Sequence, residues 1–332
     1  MSDRPTVLVL DEEFATALPS IESDVDLVGR EALEEPATAA KVQGLITQFE
    51  PVDAELLDRL PSLRAVVKMG QSYHNVDVDT LRARDVPLFL SPRKGPNCVA
   101  ELAMTFMLAL SKDLLTSHRA VAEGAYRLRG LKPERSEQWK MAFHWMRHAT
   151  LHEVRGKTVG IVGMGEIGCE LALRAVAMGM KVVYHKRTPL SPELEARFRA
   201  KRMPLPALLA DSDYVVLAVP HTTDTERMIG AGELAAMKEG AFLVNICRGG
   251  VVDEDALIEA LASRSIAGAG LDVFTYEPLP ADSPLCTLDN VILTPHVGGG
   301  SGSNRALEVT EAAQAAAEAI EGREGGAAWR IP

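Results

Sequence analysis

Three polar residues in the second half of the chain each follow an apolar run typical of a buried strand. Arg248 follows FLVNIC, Glu277 follows GLDVFTY and His296 follows VILTP. Because ligands of an open parallel sheet bind beyond the carboxyl ends of its strands, we expect these side chains to meet in one crevice. An arginine can bind a carboxylate, a protonated histidine can deliver a proton, and a glutamate can stabilise the charged imidazole. The set predicts reduction of a 2-keto acid to a 2-hydroxyacid by hydride transfer.

A glycine-rich turn supplies a candidate site for the hydride carrier. TVGIVGMGEIG places Gly163, Gly165 and Gly168 in GxGxxG spacing, after a predicted strand and before a predicted helix. In a dinucleotide site these glycines permit the tight turn, the approach of the pyrophosphate and the close packing of helix on strand. The amides of Glu166 and Ile167, at the start of the helix, would then face the phosphates.

The strand after this helix ends in the basic run YHKRTPL. About twenty residues past the glycine turn, a dinucleotide site carries an acid that binds the ribose 2′-hydroxyl, and this chain has His185 there. Lys186 and Arg187 place positive charge where a 2′-phosphate would lie, and Thr188 adds a hydroxyl. The run favours NADP(H) as cofactor and leaves NAD(H) possible. The alternative is a solvated surface turn with no ligand.

The spacing of apolar runs predicts an α/β protein of two domains. TVLVL (6–10), GLIT (44–47), AVVKM (65–69) and PLFLS (87–91) alternate with helix-compatible segments and predict a first, smaller α/β unit with a parallel sheet. Residues 99–121 repeat Leu102, Phe106, Leu110 and Leu114 at helical spacing and predict one long buried helix.

From residue 157 the alternation becomes stricter and predicts a doubly wound parallel sheet of six strands. The strands are KTVGIVG, MKVVYH, DYVVLAV, GAFLVNI, IAGAGLDV and NVILTP. An alanine-rich helix over 304–322 could fold back onto the first unit. We therefore predict a substrate domain from residues 1–98 and 300–332, interrupted by a dinucleotide-binding domain over 99–299.

Composition and charge exclude several classes of function. The net charge of −11 disfavours nucleic acid and anionic lipid as partners. The chain start lacks a cationic segment followed by a long apolar one, and charged residues interrupt every apolar run, so we expect neither a secretion signal nor a membrane span. Four cysteines lie far apart without a CxxC pair, which disfavours a disulfide framework or a zinc site. We expect a cytoplasmic enzyme without a metal.

The ordered motifs resemble those of the D-isomer-specific 2-hydroxyacid dehydrogenase family. The resemblance covers nearly the whole chain and, because of His185, is nearest to the glyoxylate and hydroxypyruvate reductases of that family that prefer NADP. The motifs that carry it are GMGEIG (163–168), LVNICRGGVVDEDAL (243–257), GAGLDVFTYEPLP (268–280), ILTPHVGG (292–299) and, less closely, GQSYHNVD (70–77) and VAELAMTFMLAL (99–110).

The resemblance implies a role for each matching residue. Arg248 would bind the substrate carboxylate and carbonyl, and His296 would be the acid/base, with Glu277 as its partner. Asp272 would hold the nicotinamide carboxamide, and backbone amides around Gln71 and Ser72 would receive the substrate carboxylate. Further cofactor contacts would come from Val219, Pro220, Thr225, Ile246, Cys247, Val297 and Gly298.

For the architecture, the family implies a Rossmann-type domain inserted into a smaller flavodoxin-like substrate domain. It also implies a homodimer formed largely through the dinucleotide-binding domain. The activity implied is that of an NAD(P)-dependent D-2-hydroxyacid dehydrogenase acting on a small 2-keto or 2-hydroxy acid.

The chain departs from the family pattern at three further places. Gln71 and His74 alter the usual substrate loop. Cys247 stands where a small residue is usual, either as an inert filler or as an oxidisable thiol. The segment 127–157, which contains Trp139 and Trp145, is longer than the family usually has. It is either a surface extension packed on its own domain or a mobile element over a substrate site, which could belong to the partner subunit.

Two alternative functions stay open. A phosphoglycerate dehydrogenase would use basic residues such as Arg93 and Lys94 for the substrate phosphate, but the chain has no additional regulatory domain and no acid at position 185. A binding protein on the same fold, like the C-terminal-binding-protein corepressors, would use the dinucleotide to assemble with partners. The acidic sequence shows no positive sign of such a groove.

Overall fold

The computed structural model describes residues 4–14, 18, 21, 23–71, 73–135, 151–299, 305–323 and 328–331. The chain divides into two compact units, one from residues 1–98 and 299–332 and the other from residues 99–298. The second unit therefore interrupts the first in sequence. Ser72 and residues 136–150 of the long 127–157 segment, with Trp139 and Trp145, lie outside the described residues.

The strands, numbered in chain order, alternate with helices in both units. They are β1 Thr6–Val9, β2 Asp26–Val28, β3 Val42–Thr47, β4 Ala65–Met69, β5 Leu88–Ser91, β6 Thr158–Val162, β7 Lys181–His185, β8 Ala200–Arg202, β9 Tyr214–Leu217, β10 Phe242–Asn245, β11 Gly268–Leu271, β12 Val291–Leu293 and β13 Trp329–Arg330.

The helices include both one-turn and long examples. They are α1 Pro36–Ala39, α2 Ala54–Asp58, α3 Val78–Ala83, α4 Lys94–Ser111, α5 Leu114–Ala122, α6 Glu166–Ala177, α7 Pro192–Phe198, α8 Leu205–Asp211, α9 Ala231–Ala236, α10 Glu254–Ala262 and α11 Arg305–Ile320. None of these helices, within the part of the chain that the structure describes, is long and apolar enough to cross a membrane.

The sheet of the first unit has a flavodoxin-like strand order, which agrees with the flavodoxin-like domain that the family resemblance implied. Its strands run β2-β1-β3-β4-β5 in parallel, and the C-terminal β13 adds an antiparallel strand beside β5. Helix α11 packs on one face through small buried residues such as Ala312 and Ala316, against Ile46 and Val67. The alanine side chains let the helix lie close to the sheet. The sequence pattern missed β2, because this edge strand has only three residues and is partly exposed.

The second unit confirms the predicted doubly wound fold. Its sheet order is β12-β11-β10-β9-β6-β7-β8, and every pairing is parallel. Counted from β6, this is the 3-2-1-4-5-6 order of dinucleotide-binding folds with one more strand at the β12 edge. The sequence predicted six of these strands and missed β8, in which Lys201 and Arg202 are exposed at the sheet edge.

The prediction of one long buried helix over residues 99–121 is wrong. Helix α4 ends at Ser111, whose hydroxyl bonds the Met107 carbonyl and, at 2.6 Å, the Tyr214 hydroxyl. Asp113 then has a left-handed backbone with φ of 46°, which separates α4 from α5. Phe106 is buried as predicted, but Leu114 is 53% exposed. The helical spacing of apolar residues continues across the two residues that separate α4 from α5, so the sequence pattern does not reveal the break.

Candidate active site

The glycine turn after β6 has the shape that a dinucleotide phosphate site needs. Gly163 has φ of +101°, and a Cβ there would lie 2.4 Å from the Ala218 carbonyl oxygen. At Gly168 a Cβ would lie 2.5 Å from the Gly163 carbonyl oxygen, so helix and strand pack too closely for a side chain. Gly165 caps α6, and no described atom lies within 4 Å of the place a Cβ would take. The backbone there is open to a ligand.

The start of α6 adds backbone donors to this opening. Glu166 and Ile167 are the first two residues of the helix. The amides of a first helical turn have no partner inside the helix and carry the positive end of its dipole. The turn therefore suits the pyrophosphate of a dinucleotide, and its residues fit such a group.

The basic loop after β7 is held by two side chains outside it. The Arg202 guanidinium donates Nε and Nη2 to the Lys186 carbonyl, at 3.1 and 3.0 Å, and Nη2 to the Arg187 carbonyl at 2.9 Å. At the far end, the Tyr184 hydroxyl accepts a bond from the Leu190 amide at 3.0 Å. The backbone of the loop is thus fixed at both ends.

Tyr184, whose hydroxyl accepts the Leu190 amide, is a neutral phenol. Burial, followed by its hydrogen bond to Glu195, raises the pKa of Tyr184 to about 12. The hydroxyl donates to Glu195 Oε1 at 2.6 Å while accepting from Leu190. Sequence reasoning did not single out Tyr184 or Arg202, because neither would touch a cofactor.

The side chains of the basic run face different surroundings. His185 ends β7, and its Nδ1 lies 3.1 Å from the Met203 carbonyl oxygen. Since a carbonyl can only accept, Nδ1 carries the proton in this contact. Thr188 is exposed, and Lys186 is half-buried. Arg187 is exposed and forms an ion pair of 3.1 Å with Asp224.

The loop after β9 lies on the other side of the glycine turn. Thr225 Oγ1 donates to the Pro220 carbonyl at 2.6 Å and accepts the Thr222 amide at 2.8 Å. These bonds fold the loop back on itself directly after half-buried Val219. Thr225 is therefore a loop-forming residue in this structure, whatever it contributes to a ligand.

Arg248 follows β10 on a backbone that buried Asn245 sets. The side-chain Nδ2 of Asn245 donates to the Arg248 carbonyl, and its Oδ1 accepts a bond from the Cys247 backbone amide, both at 3.1 Å. A Cβ on Gly249 would lie 2.0 Å from the Phe274 backbone, so only glycine fits next to the arginine. Sequence reasoning missed Asn245 and Gly249 as positioning residues, although both stand inside the LVNICRGG motif.

Cys247 lies beneath this turn next to buried Ile246. The thiol is 6% exposed and lies 3.1 Å from Asn245 Oδ1. Burial raises the pKa of the Cys247 thiol and outweighs its hydrogen bond with the Arg248 backbone. A buried thiol with a raised pKa reacts slowly, so the structure favours the filler interpretation over the oxidisable one.

Asp272 organises the loop that carries His296. Its carboxylate is buried and accepts the Thr294 hydroxyl at 2.6 Å, the Val297 amide at 2.9 Å and the Gly298 amide at 2.8 Å. The Asp272 backbone carbonyl also accepts the His296 amide at 2.9 Å. These four bonds give Asp272 a structural role, and contact with a nicotinamide carboxamide stays a prediction.

His296 and Glu277 form the pair that the sequence placed after neighbouring strands. His296 has φ of 55°, and its Nδ1 lies 2.7 Å from Glu277 Oε2. Glu277 Oε1 accepts the Phe274 amide at 3.1 Å. Because Nδ1 is held by the carboxylate, Nε2 is the nitrogen that can meet a substrate.

The charge of Glu277 is stabilised in place. Partial burial raises the pKa of this carboxyl, but the hydrogen bonds from His296 and Phe274, with the charges of His296 and Arg248, outweigh it. The net effect is a pKa below the ordinary value of 4.5. The positive charge of Arg248 therefore contributes to the lowered pKa of Glu277. Glu277 is a carboxylate at neutral pH.

A pocket of about 450 Å³ opens beside this pair. Its lining combines the two polar groups with apolar side chains, which suits a small ligand with one polar end. The lining residues are Phe274, Glu277, Pro278, Leu279, Leu293, Thr294, Pro295 and His296.

The remaining candidate residues lie in the first unit. Gln71, directly after β4 and Gly70, is buried, and Ser72 lies outside the described residues. Nothing in the structure tests their assignment as the substrate loop.

Arg93 and Lys94 already lie beside carboxylates of α11. Arg93 Nε is 3.9 Å from the buried carboxylate of Glu308, and Lys94 Nζ is 3.0 Å from Glu311. The Lys94 amide also donates to Glu308, at 2.8 Å. A substrate phosphate at these cations would meet two carboxylates, which argues against the phosphoglycerate alternative.

Comparison with known proteins identifies relatives over most of the chain. A family model described as "D-isomer specific 2-hydroxyacid dehydrogenase, NAD binding domain" matches residues 104–298. A glyoxylate reductase of Thermococcus gammatolerans is 41% identical over 78% of this chain and 74% of its own. A glyoxylate/hydroxypyruvate reductase B of Cronobacter sakazakii is 40% identical over 83% of this chain and 81% of its own.

Among solved structures, an NADPH-dependent glyoxylate/hydroxypyruvate reductase from Sinorhizobium meliloti, in complex with NADP and malonate, is similar to this chain. The TM-score is 0.53 and the identity 29%, over 94% of this chain and 92% of that one.

The pKa of Glu277 yields a prediction about stability. A carboxyl whose pKa is lowered by folding stabilises the folded state above its ordinary pKa, and this contribution is lost as the pH falls through the folded value. Glu277→Gln should therefore lower the melting temperature at pH 7 by about 1–3 °C, a small effect because the pair is partly exposed. The difference from the wild type should vanish in acid, well below pH 4.5.

Thermal melts between pH 3 and pH 8 check this expectation. Glu239→Gln, on the exposed loop before β10, removes the same charge away from His296 and serves as the control. A Glu277→Gln deficit that is equally large at pH 3 and pH 7 would contradict the electrostatic account of the pair.

Proposed function

Because this chain belongs to the D-isomer-specific 2-hydroxyacid dehydrogenase family, we infer that it is an oxidoreductase that reduces a small 2-keto acid with a nicotinamide dinucleotide. The relatives named above are glyoxylate and glyoxylate/hydroxypyruvate reductases, and they support substrates of that size. One observation carries the proposal: the 2.7 Å bond between His296 and Glu277, at a sheet edge that also holds Arg248 and the glycine turn.

The proposed mechanism divides the chemistry among three side chains. The reduced nicotinamide, when bound, supplies a hydride to the carbonyl carbon. His296 Nε2 gives a proton to the carbonyl oxygen, and the Glu277 carboxylate stabilises the imidazolium before that transfer. The Arg248 guanidinium binds the substrate carboxylate and polarises the neighbouring carbonyl. Solvent then returns a proton to His296.

The remaining site residues receive their roles within this proposal. The Gly163–Gly168 turn would bind the pyrophosphate, and Asp272 would hold the nicotinamide carboxamide. Backbone amides around Gln71 and Ser72 would receive the substrate carboxylate. The walls of the cofactor site would be Val219, Pro220, Thr225, Ile246, Cys247, Val297 and Gly298.

We further propose that the preferred cofactor is NADPH. His185 replaces the acid that would bind a free 2′-hydroxyl, and Lys186 and Arg187 project from a loop whose backbone is fixed by Arg202. Thr188 is exposed beside them. The Sinorhizobium meliloti relative, which is NADPH-dependent, supports this choice. The four residues would surround a 2′-phosphate.

The protein is also proposed to be a homodimer formed through the second unit. Large apolar side chains stand exposed on α5 and on the 3₁₀ turn that follows: Leu114 is 53% exposed, Val121 64% and Leu128 91%. Such a concentration is unusual on a free surface and is typical of a contact between subunits. A second copy of the chain would cover it.

The first prediction of this proposed function concerns catalysis. His296→Asn should lower kcat/KM for glyoxylate by about 10²–10⁴, because the proton donor is lost. Asparagine tolerates the left-handed backbone of this position, so the loop should keep its form. Dinucleotide affinity, measured by fluorescence titration, should stay within about threefold of the wild type. Undiminished turnover would remove His296 from the mechanism.

The second prediction concerns the cofactor. Arg187→Ala should raise the Kd for NADPH about tenfold, because a charge-assisted hydrogen bond to phosphate is lost, and should leave the Kd for NADH nearly unchanged. Arg264→Ala removes another exposed arginine that is paired with an aspartate, Asp289, and is the control. An unaltered ratio of the two dissociation constants would show that the loop does not bind the 2′-phosphate.

The third prediction concerns the dimer. Sedimentation at micromolar concentration should give twice the chain mass of 35.8 kDa. The double substitution Val121→Glu and Leu128→Glu should shift the protein to monomer, because charges would then be buried in the contact. A monomeric wild type, or a double variant that still dimerises, would contradict this assignment of the surface.

A further inference from the structure

An ion pair joins the two loops that flank the glycine turn. Arg187 lies two residues after β7, and Asp224 lies in the loop after β9. The Arg187 Nη1 and Asp224 Oδ2 atoms are 3.1 Å apart, and the side chains are 87% and 74% exposed. This contact is not required by the fold, since it connects surface side chains of separate loops.

The strand order places this pair across the opening of the dinucleotide site. In the sheet, β6 lies between β7 and β9, so the two loops start about 10 Å apart, one on each side of the glycine turn. The turn and the end of β6 are bonded to both flanks: the Gly163 amide donates to the His185 carbonyl at 2.9 Å, and the Ala218 amide donates to the Val162 carbonyl at 2.8 Å. An ion pair between the loops must therefore span the turn.

Both loops are fixed while the paired side chains are exposed. Arg202 holds the carbonyls of Lys186 and Arg187, and Thr225 holds the turn next to Asp224. Arg187 can exchange its carboxylate partner for another anion by rotating its side chain alone. A phosphate that takes Arg187 would then lie near the Asp224 carboxylate and be repelled by it.

We propose that Asp224 is a specificity-determining residue: its negative charge lowers the affinity of the protein for the 2′-phosphate of the cofactor. This inference rests on the proposed NADPH preference. Asp224 holds Arg187 across the glycine turn until the 2′-phosphate displaces it. A cofactor without that phosphate leaves the ion pair of Arg187 and Asp224 intact and brings no further anion next to Asp224. The affinity for NADH is therefore independent of Asp224.

Asp224→Asn should therefore tighten NADPH binding by about three- to tenfold, because one nearby negative charge is removed. The Kd for NADH should change by less than about twofold, and the gain for NADPH should shrink at high ionic strength, where exposed charges are screened. When Arg187 is also replaced by alanine, Asp224→Asn should increase NADPH affinity by a smaller factor, because there is no arginine left to exchange Asp224 for the 2′-phosphate.

Titration calorimetry on the full-length protein tests this with four probes: NADPH, NADH, 2′,5′-ADP and 5′-AMP. The last two differ only by the 2′-phosphate. The matched control is Asp289→Asn, which removes the same charge from an exposed ion pair with Arg264, a pair outside the loops that flank the glycine turn. We expect NADPH and 2′,5′-ADP to respond to Asp224→Asn and no probe to respond to Asp289→Asn.

The outcomes separate this inference from the proposed function. If the wild type binds 2′,5′-ADP no better than 5′-AMP, the NADPH assignment fails and the role of Asp224 fails with it. If the wild type does prefer 2′,5′-ADP but Asp224→Asn leaves that affinity unchanged, only the role of Asp224 is overturned. Weaker NADH binding in Asp224→Asn would also overturn it, because Asp224 would then be a ribose ligand.

Discussion

The hydrogen bonding of one buried carboxylate governs the geometry of the candidate active site. Asp272, at the end of β11, accepts the Thr294 hydroxyl and the amides of Val297 and Gly298. Those bonds fix the loop after β12 and hold His296 at a φ of 55°, a conformation that a histidine rarely adopts. In that conformation, with the loop tied to Asp272, Nδ1 of His296 lies 2.7 Å from Glu277 Oε2.

The strand order places the three candidate catalytic residues after neighbouring strands. Arg248, Glu277 and His296 follow β10, β11 and β12, which are neighbours at one side of the sheet. The glycine turn follows β6, and β9 lies between β6 and β10. In the proposed function, a dinucleotide lying along the carboxyl edges of these strands would have its adenosine end near the basic loop and its nicotinamide end near His296. The fold would thus separate cofactor recognition from proton transfer along one edge of the sheet.

Much of this arrangement follows from the sequence because buried parallel strands leave a strong signal. Apolar runs such as VVLAV and FLVNI predicted the strands, and the residues after them predicted the contact between Glu277 and His296. Features set by tertiary contacts left no such signal. The break at Asp113 follows a residue, Ser111, that is hydrogen-bonded to Tyr214 of a distant strand, and the pairing of Arg187 with Asp224 joins two loops far apart in sequence. The short edge strands β2 and β8 have too few buried residues to show a period.

The most direct test of the central claim is the initial rate of dinucleotide oxidation by the wild-type protein with glyoxylate at neutral pH. The geometry of Arg248, Glu277 and His296 predicts turnover that saturates with glyoxylate, and the basic loop predicts faster turnover with NADPH than with NADH at equal low concentration. Absence of turnover with both dinucleotides, for glyoxylate and for hydroxypyruvate, would contradict the account.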